Sequence, residues 1–346
     1  MRILHVHSGN LFGGVETILL ALARHERTYS GLRSSFALAF DGRLARELTE
    51  SGAPVAMLGR VQLRRPDRVH AARSRLKSVI TRERPDLAIV HSSWALAVFG
   101  PVLRQVSVPL VLWAHAPEPG PWWLAAMARR VSPDLVICNS EYTRSRVDGR
   151  YRGVRVETCY APLLPELPVR SPAQRASVRR DLGGVTDDTV VIAIAARFEP
   201  LKGHRRLIEA LAAAQPSVDW RCWIIAGAQR SSERRYEQQL RDLAVRVGLS
   251  DRVWFLGERS DVPALLSAAD LYCQPNESGD SFGLAYVEAL AAGLPIVTTR
   301  TGAAPEVVDR SCGVLVPPGD TDSLRRTLEE LIADAAQRRA LGEAGR

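Results

Sequence analysis

Asp270-Leu271-Tyr272-Cys273-Gln274-Pro275-Asn276-Glu277-Ser278-Gly279-Asp280-Ser281-Phe282-Gly283-Leu284-Ala285-Tyr286-Val287-Glu288-Ala289-Leu290-Ala291-Ala292-Gly293-Leu294-Pro295 reads as a strand, a polar loop and a helix in succession. The helix is expected to start near Phe282 and to stop at Gly293, where a glycine followed by proline ends helical chain. Asp280 then lies at the helix N-terminus, where the dipole stabilises a carboxylate. On that expectation the N–H groups of Phe282, Gly283 and Leu284 would be first-turn donors able to bind oxygen atoms. Glu288 follows about two turns later, so both carboxylates can face one elongated polyhydroxylated ligand.

The same alternation of short apolar runs and longer amphipathic segments continues in both directions, the pattern of βα units on a parallel sheet. Strands are expected near 2–7, 35–40, 54–58, 86–91, 109–115, 134–138 and 154–159, then near 189–196, 220–226, 252–256, 270–274, 295–299 and 313–316. Between the two sets, residues 161–172 hold four prolines, which forbid a regular helix. That segment reads as a linker, dividing the chain into domains 1–165 and 166–346. At 346 residues, 46% of them apolar, the chain can fill two cores. The expected fold is α/β, two Rossmann-like domains facing across a cleft, with the ligand in the cleft.

Composition narrows the class. No apolar run approaches the ~18 residues that cross a bilayer. Met1-Arg2-Ile3-Leu4-His5-Val6-His7 reads as a first strand rather than a signal peptide, so a cytoplasmic protein is expected. Cys138, Cys159, Cys222, Cys273 and Cys312 are odd in number and widely spaced, which points to buried thiols; the seven histidines lack metal-ligand spacing. Residues 1–165 carry 23 Lys+Arg against 13 Asp+Glu, and residues 166–346 carry 23 against 25, so the excess positive charge belongs to the first half. An anionic partner suits it, and by charge alone a membrane surface, an acidic acceptor or nucleic acid qualifies. Nucleic acid is not the expected partner.

Two loops stand where open α/β sheets bind ligands. Ser8-Gly9-Asn10-Leu11-Phe12-Gly13-Gly14-Val15-Glu16 follows the first strand, and its glycines permit close approach of an anion to a helix N-terminus. It is neither a dinucleotide fingerprint nor a P-loop. Arg197-Phe198-Glu199-Pro200-Leu201-Lys202-Gly203-His204 follows the strand at 189–196. One forked and one compact cation, five residues apart, suit a diphosphate.

In these motifs, with Phe255-Leu256-Gly257 and the 302–306 segment, the chain resembles the retaining family-four glycosyltransferases of the GT-B fold, in order and over nearly its whole length. The resemblance implies that Arg197 and Lys202 hold the donor diphosphate, and that Asp280 with the amides of Phe282, Gly283 and Leu284 holds the transferred sugar. It assigns Glu288 to the ribose, Arg259 to the neighbourhood of the nucleobase, Gly13 and Gly14 to the donor, and His115 to the reacting sugar. The first acid is usually glutamate in that family and is Asp280 here, with Glu277 as the neighbouring alternative. The chain stops at Ala344-Gly345-Arg346, short of the helix by which such proteins cross back onto the first domain, which leaves the native C-terminus open.

The implied reaction moves a hexosyl unit from a nucleotide diphosphate sugar, UDP- or GDP-linked, to a hydroxyl acceptor that is a glycan, a lipid-linked sugar or a small molecule. The donor is a substrate; no cofactor and no metal are expected, since the D-x-D at Asp320-Thr321-Asp322 opens a helix rather than ending a strand. The alternatives are a nucleotide-sugar epimerase of the same fold or a catalytically idle sugar- or nucleotide-binding protein. Two surface features bear on the acceptor: the loop 117–123, with Trp122 and Trp123, and the Arg-rich segment 60–84. In the latter, Val69, Ala72, Leu76, Val79 and Ile80 fall at helical spacing opposite a cationic face, which suits peripheral contact with an anionic membrane.

Overall fold

The computed structural model describes residues 1–26, 31–116, 122–161, 171–183 and 185–346. It divides into two units, Met1–Pro162 and Leu163–Arg346. Most of the proline-rich linker and residues 117–121 of the tryptophan loop lie outside the described residues.

Seven strands form the sheet of the first unit: β1 (Arg2–His7), β2 (Arg33–Leu38), β3 (Val55–Met57), β4 (Leu87–Val90), β5 (Leu110–Ala114), β6 (Leu135–Cys138) and β7 (Arg155–Thr158). Six form that of the second: β8 (Val190–Ala195), β9 (Trp220–Ile225), β10 (Val253–Gly257), β11 (Leu271–Gln274), β12 (Ile296–Thr299) and β13 (Gly313–Val316). Each begins and ends within two residues of its expected range. Every pairing is parallel, in the orders β3-β2-β1-β4-β5-β6-β7 and β10-β9-β8-β11-β12-β13.

Two-residue periodicity sorts each central strand onto two cores. In β8, Val190, Ile192 and Ile194 pack with Leu207, Ile224 and Leu328, while Val191 and Ala193 pack on the other face with Trp223, Tyr272 and Ile296. Burying each such aliphatic side chain contributes about 1.5–3 kcal/mol, so helices on both faces are required. Strand order reverses between β1 and β4 and between β8 and β11. At such a switch point adjacent loops diverge to opposite faces and open a crevice at the carboxyl ends.

Two expectations are corrected. The helix after β11 spans Leu284–Ala291, starting two residues later than the sequence pattern indicates. Gly283 sits in the left-handed region at φ 89°, and a Cβ there would meet the Tyr286 ring at 2.3 Å. The chain therefore turns sharply at Gly283 before helix can form. Of the cysteines, Cys138, Cys222, Cys273 and Cys312 are buried thiols, but Cys159 is exposed because it follows the edge strand β7.

Candidate functional site

The loop leaving β8 carries Arg197, the short 3-10 turn Pro200–Lys202 and Gly203, after which the helix His204–Ala213 begins. Gly203 is held at φ 76°, and a Cβ there would stand 1.9 Å from the Pro275 carbonyl oxygen. The loops after β8 and β11 are thus in direct contact, and the Glu277 amide donates to the Leu201 carbonyl at 2.8 Å. Gly302, at φ 61° beyond β12, would put a Cβ 2.4 Å from both the backbone nitrogen and oxygen of Asp280; the Ala303 amide donates to that oxygen at 3.0 Å. Arg206 grips both Glu277 oxygens at 2.6 and 2.8 Å and reaches the Gly319 carbonyl and the Thr321 hydroxyl beyond β13. Four loops are so fused into one rim.

Beneath the rim lies a buried polar network. Asn276 donates to the Tyr286 hydroxyl at 2.7 Å, that hydroxyl meets Thr298 Oγ1 at 2.9 Å, and Gln274 joins Asn276 and Tyr272. Satisfied networks of this kind fix a single arrangement, because each broken bond leaves a buried polar group unpaired. The signal in the sequence is the pair Gln274 and Asn276, polar positions at the end of an apolar strand.

On this rim Lys202 and Asp280 come together: Nζ donates to Oδ2 at 2.5 Å, with the side chains 17% and 14% exposed. Arg197 stands 2.9 Å from Glu199 and 3.8 Å from the buried Glu233. Both cations thus have carboxylate partners, which the sequence reading did not anticipate; they are oriented groups that a diphosphate would share with those carboxylates. Glu277, the alternative acid, is committed to Arg206. Glu288 is partly buried on the helix Leu284–Ala291, and loss of hydration pushes its carboxyl up to about 7. In the first turn of that helix the Tyr286 amide donates to the Gly283 carbonyl at 2.9 Å, while the Leu284 amide has no earlier carbonyl within the helix to bond. Phe282 is buried beside them. Arg259 stands apart, forked on Asp261 at 2.8 and 2.7 Å in the loop after β10.

In the first unit, Gly13 precedes the helix Gly14–Arg24, and its carbonyl accepts from the amide and hydroxyl of Thr17, both at 3.0 Å. Glu16, buried in the first turn, faces His7 Nε2 at 2.7 Å, so a carboxylate already complements this helix N-terminus. His115 follows β5. Its Nε2 lies 3.1 Å from Nδ1 of His91 at the end of β4, and His91 Nε2 lies 2.9 Å from Nδ1 of His5 in β1. Burial lowers the His5 and His115 imidazoles to about 3 and His91 well below the ordinary range, so all three are neutral at pH 7. His5 and His91 are not singled out by the sequence; the available signal is a histidine at or near the carboxyl end of three separate strands.

Two family models match the chain in tandem: Glycosyltransferase Family 4 over residues 12–161 and Glycosyl transferases group 1 over residues 178–346. The GDP-mannose-dependent monoacylated alpha-(1-6)-phosphatidylinositol monomannoside mannosyltransferase of Corynebacterium glutamicum is 37% identical over 187 residues, 51% of this chain and 46% of that protein. The chain thus spans about half the length of that relative. The GDP-mannose-dependent alpha-(1-6)-phosphatidylinositol monomannoside mannosyltransferase of Mycobacterium tuberculosis is 31% identical over 271 residues, 72% of this chain and 68% of that protein. Among solved structures, Anabaena Alr3699/HepE in complex with UDP and glucose matches with a TM-score of 0.86 and 26% identity, over 100% of this chain and 93% of that one.

Proposed function

We propose that this chain, which belongs to the family-four glycosyltransferases of the GT-B fold, moves a hexosyl unit from a nucleotide diphosphate sugar to a hydroxyl acceptor. The observation that carries the reading is the Lys202–Asp280 pair at the β8/β11 switch point, with Arg197 in the same loop as Lys202. Fixed cations suit a diphosphate and a fixed carboxylate suits sugar hydroxyls. Residues 166–346 take the donor, and residues 1–165 the acceptor. The relatives named for GDP-mannose and the structure named for UDP and glucose support a GDP- or UDP-linked donor. Hydrolysis of GDP-mannose or UDP-glucose without acceptor tests it; a protein that binds either donor but never cleaves it is a binding protein.

The reaction we assign is retaining and metal-independent. The acceptor hydroxyl attacks on the face the diphosphate leaves, and a departing phosphate oxygen takes the proton, so no protein nucleophile is needed. Arg197 and Lys202 then balance the charge that grows on the leaving group. Asp320 caps the helix Thr321–Ala333 through the Ser323 amide and hydroxyl, and Asp322 pairs with Arg325 and Arg326, which supports leaving that D-x-D out of the chemistry. The anomeric proton of the product, read by NMR with a chelator present, is expected to keep the donor configuration at undiminished rate. Inversion, or a rate restored only by divalent cations, overturns the assignment.

Glu288 gives a pH-dependent prediction. Its folded pKa, about 7, lies above the ordinary 4.5, so its contribution to stability is full below pH 4.5 and is lost as pH rises through 7. Ionisation over the same interval creates the acceptor that ribose hydroxyls need. Affinity for free GDP or UDP should therefore increase as pH rises through about 7, at the expense of stability. Glu288→Gln should weaken the nucleotide at pH 8, flatten that dependence and raise the melting temperature at pH 8 but not at pH 4.5. Calorimetry and thermal melts check it, and unchanged nucleotide affinity at pH 8 removes Glu288 from the site.

The acceptor side of the proposal includes an anionic membrane surface. The helix Pro66–Glu83 buries Ala72, Leu76, Val79 and Ile80. Its cationic face is smaller than composition suggests, because Arg73 turns in to donate to the Val98 carbonyl at 2.6 Å, whereas Arg75 donates to that of Leu58 at 2.8 Å and stays exposed. Arg64, Arg65, Lys77, Arg82 and Arg84 remain exposed, as do Trp122 and Trp123. Each cation near anionic lipid contributes about 1 kcal/mol, fading within a Debye length. Co-sedimentation with anionic but not neutral vesicles is expected, and it should be lost at high salt and in Arg64/Arg65/Arg68→Glu. Protein left in the supernatant with anionic vesicles at low salt refutes the contact.

A further inference from the structure

His5, His91 and His115 stand on β1, β4 and β5 or at their carboxyl ends, three neighbours in the sheet. Their rings stack, with centroids 5.2 Å apart for His5 and His91 and 5.4 Å apart for His91 and His115. Trp113 stacks on His115 at 5.1 Å and tilts against His91 at 5.6 Å. His7 stands edge-on to His91 at 6.1 Å and carries the nearby charged group, Glu16, as its partner. His5 and His91 are 2% and 1% exposed.

A neutral imidazole has one N–H and one lone pair. A continuous chain of neutral rings therefore has only two arrangements, every N–H pointing from His5 toward His115 or every N–H pointing back. A mixed chain sets two lone pairs or two N–H groups against each other in a buried place, which leaves polar atoms unsatisfied. In both permitted arrangements His91 uses both nitrogens and His115 uses Nε2. Among the described residues, Nδ1 is the nitrogen of His115 left for a ligand, and its character is dictated by the chain behind it.

We propose that His91, seated on His5, is the positioning residue for His115, holding its ring in one orientation and one tautomer so that Nδ1 meets the reacting sugar with a fixed hydrogen-bonding role. The proposal rests on the reading of His115 as a group beside that sugar. His91 acts through His115 and touches no substrate. The device suits a group that must orient rather than titrate, because the proton of the transfer goes to phosphate.

Two near-isosteric substitutions separate positioning from packing. His91→Asn places its amide where Nδ1 stands and keeps the bond to His115, while His91→Gln places it near Nε2 and keeps only the bond to His5. Both lose the ring. In 15N-histidine spectra of the whole chain, His115 is expected to be neutral in one tautomer from pH 5.5 to 8 in the wild type and in H91N. In H91Q it should average between tautomers and titrate nearer the ordinary value, about 6.5. With GDP-mannose or UDP-glucose, kcat for donor cleavage in H91Q should fall on the order of tenfold below H91N at unchanged donor KM. A wild-type spectrum in H91Q, or equal rates in H91N and H91Q, overturns the proposal. His115→Ala with wild-type turnover overturns instead the placing of His115 beside the sugar, and the two failures are distinguishable because the spectra need no turnover.

Discussion

Lys202→Ala is expected to lower turnover of the nucleotide sugar by about 30- to 900-fold, with Arg197→Ala close behind, corresponding to the roughly 2–4 kcal/mol that a well-placed donor contributes to a growing charge. Lys202 has two tasks on the rim. In the proposed reading it offers a compact charge to the diphosphate, and it is the partner of Asp280, 2.5 Å away and largely removed from water. Without it Asp280 keeps a carboxylate in a poorly hydrated place with no cation beside it, a costly state. KM for the sugar nucleotide should therefore rise together with the fall in kcat, whereas Arg197→Ala, whose partners are Glu199 and Glu233, should act mainly on kcat. Lys202→Arg should recover only part of the loss, because a planar fork does not reproduce a point charge. In a double-mutant cycle, Lys202→Ala and Asp280→Asn should be clearly non-additive. Near wild-type turnover of either alanine variant at saturating donor removes that residue from the diphosphate.

What the sequence made legible is what chain neighbours decide. The thirteen strands among the described residues are legible because each is a short apolar run bounded by turn residues, and the order of cations and glycines after β8 is local too. The partners were not legible. Lys202 and Asp280 are 78 residues apart, His5 and His91 are 86 apart, and no local pattern says which loops a doubly wound sheet will bring to one edge. The helix start after β11 was misplaced because the deciding contact, Gly283 against the Tyr286 ring, is one of space rather than of propensity. Arg73 shows the same limit from another side. It belongs by composition to a cationic face, yet it turns inward to carbonyls of the helix Ser93–Gln105, where Pro101 has removed the N–H that would bond Ala97.

Gly302→Ala should be comparably damaging although it removes no functional group. Gly302 lies at φ 61°, where an L side chain costs about 1–2 kcal/mol, and its new Cβ would fall 2.4 Å from both the nitrogen and the oxygen of Asp280. Those are backbone atoms in a loop already clamped by Gly203 against Pro275 and by Arg206 on Glu277, so the loop cannot yield without moving Asp280 off Lys202. A displacement of about 1 Å in a positioning group lowers turnover on the order of a hundredfold. Binding of the free nucleotide, whose ribose the proposal assigns to Glu288 rather than to Asp280, should suffer less than binding of the sugar nucleotide. Gly248→Ala is the control: φ there is 73°, but nothing lies within 4 Å of the added carbon, so it carries the backbone strain without the collision. Melting temperatures and donor kinetics of the two variants, measured side by side, separate strain from displacement. If Gly302→Ala matches Gly248→Ala in both stability and turnover, the loop after β12 does not hold Asp280 in place, and the fused rim is not what orders the donor site.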